Sequence, residues 1–209
     1  MQHLEQENQY AETVLKHTEA LQEQLFEEIK GRIAKDDNSV PVRKGSYYYS
    51  NEVTGDNEYE VHLRAKDFAG TDKQVILDVN ELAKEHEFFS IGGLYVSPNE
   101  NMLAYGEDTL SRRIYTIKIK DLMTGEYLKD EIEGASSAIA WQNDNQAFYY
   151  IKKDPQTLLG YQVYRHVLGT AQTSDELIYE ETDSAYYTFL SKSKDGEQVY
   201  IWHSSTETS

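Results

Sequence analysis

The chain has no cysteine among its 209 residues, which excludes disulfides and every thiolate metal site and fits a reducing compartment. No apolar run approaches the length of a membrane span. The N-terminus, MQHLEQENQY, is polar and acidic and carries no secretory pattern, so cytoplasm is the expected location and no membrane partner is expected. Basic residues are scarce, at 20 Lys and Arg against 37 Asp and Glu, for a net charge of −17. Phosphate neutralisation needs a basic patch and none is visible, so no nucleic-acid partner is expected. Residues 1–38 hold nine acids and four bases, net −5, which leaves −12 for the rest; the acidity is spread and is not a tail. Such a field concentrates cationic partners, and it also simply keeps a surface solvated; both readings stand.

What is present points to a folded, strand-rich protein. Hydrophobic residues make up 39% and aromatics 12%, enough to build a core. The 17 tyrosines cluster, as in Tyr47-Tyr48-Tyr49 and Phe148-Tyr149-Tyr150, which favours strands. Only residues 3–35 read as helix. There Leu4, Ala11, Val14, Leu15, Leu21, Leu25, Ile29 and Ile33 recur at helical spacing among Glu, Gln and Lys. A break is expected near His17-Thr18, with Thr18 as the N-cap, and Asp36-Asp37-Asn38-Ser39 ends the segment. An acidic amphipathic segment of this length needs a surface to cover, and little in the strands that follow offers one.

From Val40 the pattern is short strands. Ser46–Asn51 and Tyr59–Ala65 flank a turn at Thr54-Gly55-Asp56-Asn57, Val75-Ile76-Leu77 is a short apolar run, and Asn80–Glu87 can hold a helical turn. Ser90–Gly125 reads as a three-strand meander, which cannot stand alone in water. It repeats. Tyr95–Tyr105 aligns with Ala140–Tyr150, Asn99 falling on Asp144 at an offset of 45, and Leu190–Ile201 is a third copy with Asp195-Gly196 at the turn, 51 residues after Asp144. A period near this length with about four strands per unit is the signature of a β-propeller, whose blades bury their faces against one another. The expected fold is therefore mainly β: a partial propeller of about three and a half four-stranded antiparallel blades over residues 39–209, preceded by the helical segment 1–38. As a propeller it reads as incomplete, stopping at Thr208-Ser209 after the second strand of the last copy.

No pattern of catalytic or metal-ligating residues stands out. His3, His17, His62, His86, His166 and His203 are scattered without ligand spacing, so surface or structural roles are expected, no metal or other cofactor is assigned, and a metal-dependent enzyme is disfavoured. Neither Ser46 nor Ser97 has a histidine paired with it by sequence, and Ser97 reads as a turn residue ahead of Pro98. Asn143-Asp144-Asn145 and Asp154-Pro155 are turn signals without the acidic spacing of a calcium loop. Trp141 and Trp202, near equivalent repeat positions, read as packing between blades. Glu107-Asp108 with Arg112-Arg113 is the one polar cluster with two readings, an interdomain or substrate-facing charge patch and a mutual surface salt-bridge network.

Three runs carry a family likeness: HTEALQEQLFEEIKGRIAKDDNSVPVRKGSYYYS, FFSIGGLYVSPNENMLAYGEDTLSRRIYTIKIKDLMTGE and AWQNDNQAFYYIKKDPQTLLGYQVYRHVLGT. They are similar to the N-terminal region of the oligopeptidase B (protease II) group within the prolyl oligopeptidase family of serine peptidases. The resemblance implies a propeller lid over an α/β-hydrolase domain, that domain being built from an N-terminal helical segment and a larger C-terminal portion. It implies that residues 1–38 pack on this hydrolase domain, and that the chain is an N-terminal part, cut at both ends, of an endopeptidase cleaving short peptides after Arg or Lys. The family's nucleophile elbow belongs to the C-terminal portion. No G-x-S-x-G occurs here, so no catalytic residue is assigned and the chain alone is expected to be inactive. The competing expectation is a non-catalytic interaction module. Open strand edges would also favour self-association.

Overall fold

A computed structural model describes residues 1–55 and 57–208, so Asp56 of the expected turn lies outside the described residues. Two helices come first, α1 (Gln2–Leu15) and α2 (Glu19–Arg32), joined by one 3₁₀ turn at Lys16–Thr18. The break falls where the sequence places it. Thr18 stands at the N-cap position of α2, but it does not cap: its hydroxyl donates to the Leu15 carbonyl at 2.7 Å and accepts from Gln22 at 2.7 Å. A residue held in helical backbone by the preceding turn cannot aim its oxygen at the next free N–H groups. Neither helix buries a side chain, and Leu4, Val14, Leu21, Leu25, Phe26, Ile29 and Ile33 stand exposed.

Strand pairing begins at Asp37. The first blade is a meander of β2 (Val42–Lys44), β3 (Tyr47–Val53), β4 (Val61–Ala65) and β5 (Gln74–Asp78), with β1 (Asp37–Asn38) extending the inner strand along β3. A short helix, α3 (Val79–Ala83), follows, and the Asp78 carboxylate caps it by accepting from the Asn80 and Glu81 amides. Then come β6 (Ser90–Val96), β7 (Met102–Asp108), β8 (Tyr115–Asp121), β9 (Tyr127–Trp141), β10 (Ala147–Lys153), β11 (Gly160–Val167) and β12 (Glu176–Glu180), paired in sequence order as one seven-stranded sheet. That sheet is two blades sharing a strand. The first half of β9 pairs with β8 as the outer strand of blade two, and its second half pairs with β10 as the inner strand of blade three. The pair β13 (Tyr187–Lys192) and β14 (Val199–Ser204) opens blade four. The described residues thus form three blades and half of a fourth, and the ring is not closed.

The core lies between blades, as the repeat requires. Along β7 the side chains alternate: Leu103 and Tyr105 join Ile76, Leu77 and Val79 against blade one, whereas Ala104 joins Ile117, Ile119, Ile139, Trp141 and Phe148 against blade three. A strand buried on both faces needs apolar residues at consecutive positions. Where β6 crosses β9 the backbones nearly touch. Gly93, at φ 62° in a bulge, would place a Cβ 2.6 Å from the Ser137 carbonyl oxygen, so only glycine fits.

The inner turns of blades two, three and four share one construction. Glu100, Asn145 and Gly196, each four residues after the end of an inner strand, are all left-handed, at φ 63°, 62° and 77°. A glycine would serve there, yet two side chains persist because each reaches back one blade. Glu100 Oε1 accepts from the Ser46 amide at 2.7 Å, and Asn145 Oδ1 accepts from the Asn99 amide at 2.8 Å. In blade four Lys192 makes the equivalent reach, donating to the Trp141 carbonyl at 2.9 Å.

Blade three also contains a buried polar clasp. The His166 ring is fully buried between two carboxylates, with Nδ1 2.7 Å from Asp175 and Nε2 3.0 Å from Asp130. Tyr150 donates its hydroxyl to Asp175 at 2.9 Å, and the Gly169 amide donates to Asp130. Removing the ring strands two buried carboxylates. His166→Ala is expected to cost about 3–5 kcal/mol in urea unfolding followed by tryptophan fluorescence, and Arg165→Ala, at its half-exposed neighbour, under about 1 kcal/mol. Equal effects would show that the clasp adds nothing.

Candidate functional site

The inner strands and inner turns of all four blades surround a groove of about 760 Å³ along the axis of the array. Lys44 comes from blade one, Tyr95 and Glu100 from blade two, Trp141 from blade three, and Lys192 and Glu197 from blade four. Among the described residues β2 pairs only with β3, β6 only with β7 and β13 only with β14, so the other edge of each inner strand keeps its backbone groups free. The volume is that of a small-molecule or peptide site. No sequence motif marks the groove, because each blade contributes a few residues some fifty positions apart; only the repeat itself points to it.

The opposite end of the blades carries the loops after β3, β7 and β10. The helical segment joins at this end, since β1 and β2 run from Asp37 toward the inner turn at Gly45, and the Gly55 amide donates to Asp36 at 2.8 Å. The cluster Glu107-Asp108 and Arg112-Arg113 lies here, and it is not a mutual salt-bridge network. Among the described residues no salt bridge joins any two of the four side chains. Asp108 is buried and accepts from the Leu110 and Arg113 amides at 2.9 and 2.6 Å, which fixes the loop, while Arg112 donates to the Pro155 carbonyl at 3.3 Å in blade three. A carboxylate surrounded by backbone donors organises its own loop in preference to a distant guanidinium.

The remaining candidates resolve into structural roles. Ser97 donates to Asn99 Oδ1 at 2.7 Å and accepts from the Met102 amide at 3.0 Å, as a turn residue does, and the Ser46 amide binds Glu100. Asp144 accepts from the Gln146 amide at 2.9 Å and Asp154 from those of Gln156 and Thr157 at 2.9 and 2.7 Å; the Thr157 and Gln156 donors hold the Asp154 pKa below the usual carboxylate value. His62 is buried, contacts Asn51 Oδ1 at 2.8 Å, and has its pKa lowered by burial, with Glu60 opposing. Around His203, the Thr188 hydroxyl and Glu181 both approach Nδ1, at 3.4 and 3.6 Å. A nucleophile–base–acid relay needs the two on opposite ring nitrogens, so this trio is not one. The His166 clasp has the opposite arrangement, two carboxylates with no hydroxyl nucleophile, and their oxygens diverge across the ring and do not converge on a point where an ion could sit.

The tryptophans divide. Trp141 is buried, packs edge-on against Phe148 with centroids 5.3 Å apart, and donates its indole N–H to the Tyr95 carbonyl at 2.8 Å, bridging blades two and three. Trp202, expected to do the same, is 45% exposed on β14 and stacks on Phe189 at 4.3 Å. It sits after its turn, on the second strand of blade four, so no neighbouring blade among the described residues covers it.

Comparison with known proteins agrees with the blade geometry. A family model described as "Prolyl oligopeptidase, N-terminal beta-propeller domain" matches residues 1–209. The chain is 39% identical over 223 residues to dipeptidyl aminopeptidase BI of Pseudoxanthomonas mexicana, covering 99% of this chain and 31% of that protein. It is 31% identical over 216 residues to protease 2 of Moraxella lacunata, covering 100% of this chain and 31% of the relative. The structure of oligopeptidase B from Leishmania major superposes with a TM-score of 0.88 at 27% identity, covering 97% of this chain and 29% of that one. Oligopeptidase B from Trypanosoma brucei, with covalently bound antipain, gives 0.84 at 25% identity, covering 97% and 28%. The chain thus spans about a third of the length of the relatives it matches. With its family model matched from end to end and its blades superposing on solved relatives, the chain belongs to the prolyl oligopeptidase family, in the N-terminal β-propeller region.

Proposed function

We propose that these residues are the lid portion of an oligopeptidase B-like serine endopeptidase that cleaves short peptides after Arg or Lys through an acyl-enzyme on serine. The observation that carries the reading is the match to enzymes named protease 2 and oligopeptidase B, along nearly the whole chain and only about 30% of theirs. The part played here is steric and electrostatic. Blades around a narrow axial groove exclude folded proteins, and a net charge of −17 favours cationic peptides. The 209 residues alone hold no catalytic residue on this reading. Incubated with a fluorogenic Arg-ended dipeptide and a serine-reactive phosphonate, the chain is expected to show neither turnover nor labelling; either one overturns the assignment. A second reading follows from the relative at 39% identity, which is named a dipeptidyl aminopeptidase. In the full-length protein, release of dipeptides from free N-termini with no cleavage of N-blocked Arg substrates would favour it.

The segment 1–38, apart from Asp37-Asn38, which pair with β3 in blade one, is on this reading part of the catalytic domain's surface and not of the propeller. Its exposed apolar stripe supports this, as does its junction at the end of the blades that carries the loops after β3, β7 and β10. The Asp108 loop then faces the catalytic domain, in a protein of the cytoplasm. Leu25→Glu with Ile29→Glu, made in this chain, is expected to leave the unfolding midpoint of the blades unchanged and to abolish capture of a separately expressed C-terminal portion. Undiminished capture would contradict it. In the absence of that portion the free edge of β14 is expected to self-associate unless the acidic charge prevents it; a monodisperse monomer in light scattering would count against this.

A further inference from the structure

The His166 clasp joins two blades. Asp130 lies on the first half of β9, the outer strand of blade two, whereas His166 on β11 and Asp175 ahead of β12 belong to blade three. The ring faces a carboxylate at each nitrogen, Asp175 at 2.7 Å from Nδ1 and Asp130 at 3.0 Å from Nε2. Tyr150 of β10 stands behind Asp175, and Phe148 of the same strand packs against the ring with centroids 5.3 Å apart. The side chains of Asp130, His166 and Asp175 are 4%, 0% and 1% exposed, so solvent does little to screen their charges. Among the described residues no Lys or Arg pairs with either carboxylate. Hydrogen bonds leave a carboxylate's charge in place, so two ionised carboxylates buried this deeply need a cation, and the ring between them is placed to be one.

Counting hydrogens leads to the same place. A neutral imidazole has one N–H and one lone pair, so one of the two contacts would set a lone pair against a carboxylate oxygen. Moving the proton to an aspartate fits worse. Asp130 Oδ1 faces the ring and also accepts from the Gly169 amide, while Asp175 faces the ring with Oδ1 and accepts from the Tyr150 hydroxyl with Oδ2 at 2.9 Å. Burial raises the Tyr150 pKa, against Gln172 and with Asp175, so that hydroxyl stays a donor. We propose that the clasp is a proton-dependent lock: His166 is an imidazolium donating to Asp175 and Asp130 at once, and alkaline pH opens this side of the joint between blades two and three. Beside it the Glu133 amide donates to Gln172 Oε1 at 3.1 Å and Gln172 Nε2 to the Glu133 carbonyl at 2.9 Å, across the same joint. At the inner strands the Trp141 bond to the Tyr95 carbonyl involves no titrating group, so the two sides of the joint respond differently to pH. The lock is a property of these blades whichever peptide the whole protein cleaves.

The stabilisation this proton brings is full below about pH 6.5, where a histidine of the unfolded chain is protonated too. It is lost as the pH rises from there, because the folded chain then holds one proton more than the unfolded chain, a fall of about tenfold in the folding constant per pH unit. The test begins with ring nitrogen shifts of His166 in this chain at about pH 7.5, where both nitrogens are expected to carry a proton. A ring with a single N–H overturns the proposal, whichever carboxylate then holds the proton. Protection factors of the Gly169 and Glu133 amides are expected to fall at least about fivefold between about pH 7 and about pH 8.5, while those in β4 and β5 of blade one change by less than about twofold. Parallel changes at both places, or none at Gly169, would mean that no lock opens there. Asp130→Asn gives Nε2 a neutral neighbour, so its ring is expected to show one N–H and its Gly169 protection to lose the pH dependence; a variant that keeps both nitrogens protonated contradicts the assignment. The wild-type measurements decide the matter by themselves if that variant does not fold.

Discussion

The Trp141 indole donates to the Tyr95 carbonyl from one inner strand to the next, and the rest of the structure depends on contacts of that kind. No blade here can bury both of its faces alone. Each leans on its neighbour through an apolar layer and through one polar reach between inner turns: Glu100 to Ser46, Asn145 to Asn99, Lys192 to Trp141. The apolar layers supply the free energy, and the polar reaches fix which turn meets which. Two of the reaching residues hold a left-handed backbone that costs about 1–2 kcal/mol without glycine, so the contact outweighs the strain. A chain held this way is close to a one-dimensional array, in which stability is local and falls toward the ends.

That arrangement explains which parts of the fold could be read from residues alone. The inner turns were legible because turn chemistry is short-range: Pro98-Asn99, Asp144-Asn145 and Asp195-Gly196 carry their own signal at offsets of 45 and 51. The helical stripe was legible for the same reason, as period and polarity along one segment. The continuity of β9 was not. Its middle, Gly134-Ala135-Ser136-Ser137, has the composition of a loop, yet strand pairing runs through it, with Gly134 at φ 72° where one blade's outer strand passes directly into the next blade's inner strand. Thr18 looked like a cap because residue type alone suggests one; the hydroxyl's actual partner is set by backbone angles that no residue type specifies.

The functional surfaces were harder to see for a physical reason. The His166 clasp joins residues 36 and 9 positions apart in sequence, and its members are ordinary when taken singly. The axial groove draws one strand from each blade, so Lys44 and Lys192 meet only once the array has curved. Trp202 shows the converse. Its place in the repeat suggested packing between blades, but packing needs a neighbour, and β14 has none among the described residues. Conversely, Asp108 looked like half of an ion pair and is instead the centre of its own loop, because amides two and five residues away are nearer than any guanidinium.

Stability in this array resides between blades. Amide hydrogen exchange followed residue by residue tests it most directly. Slowest exchange is expected in β7, β8 and β10, which have a blade on both sides or share β9, with faster exchange in β13 and β14 and the fastest in α1 and α2, which bury nothing. Uniform protection across all strands, or protected helices, would contradict it.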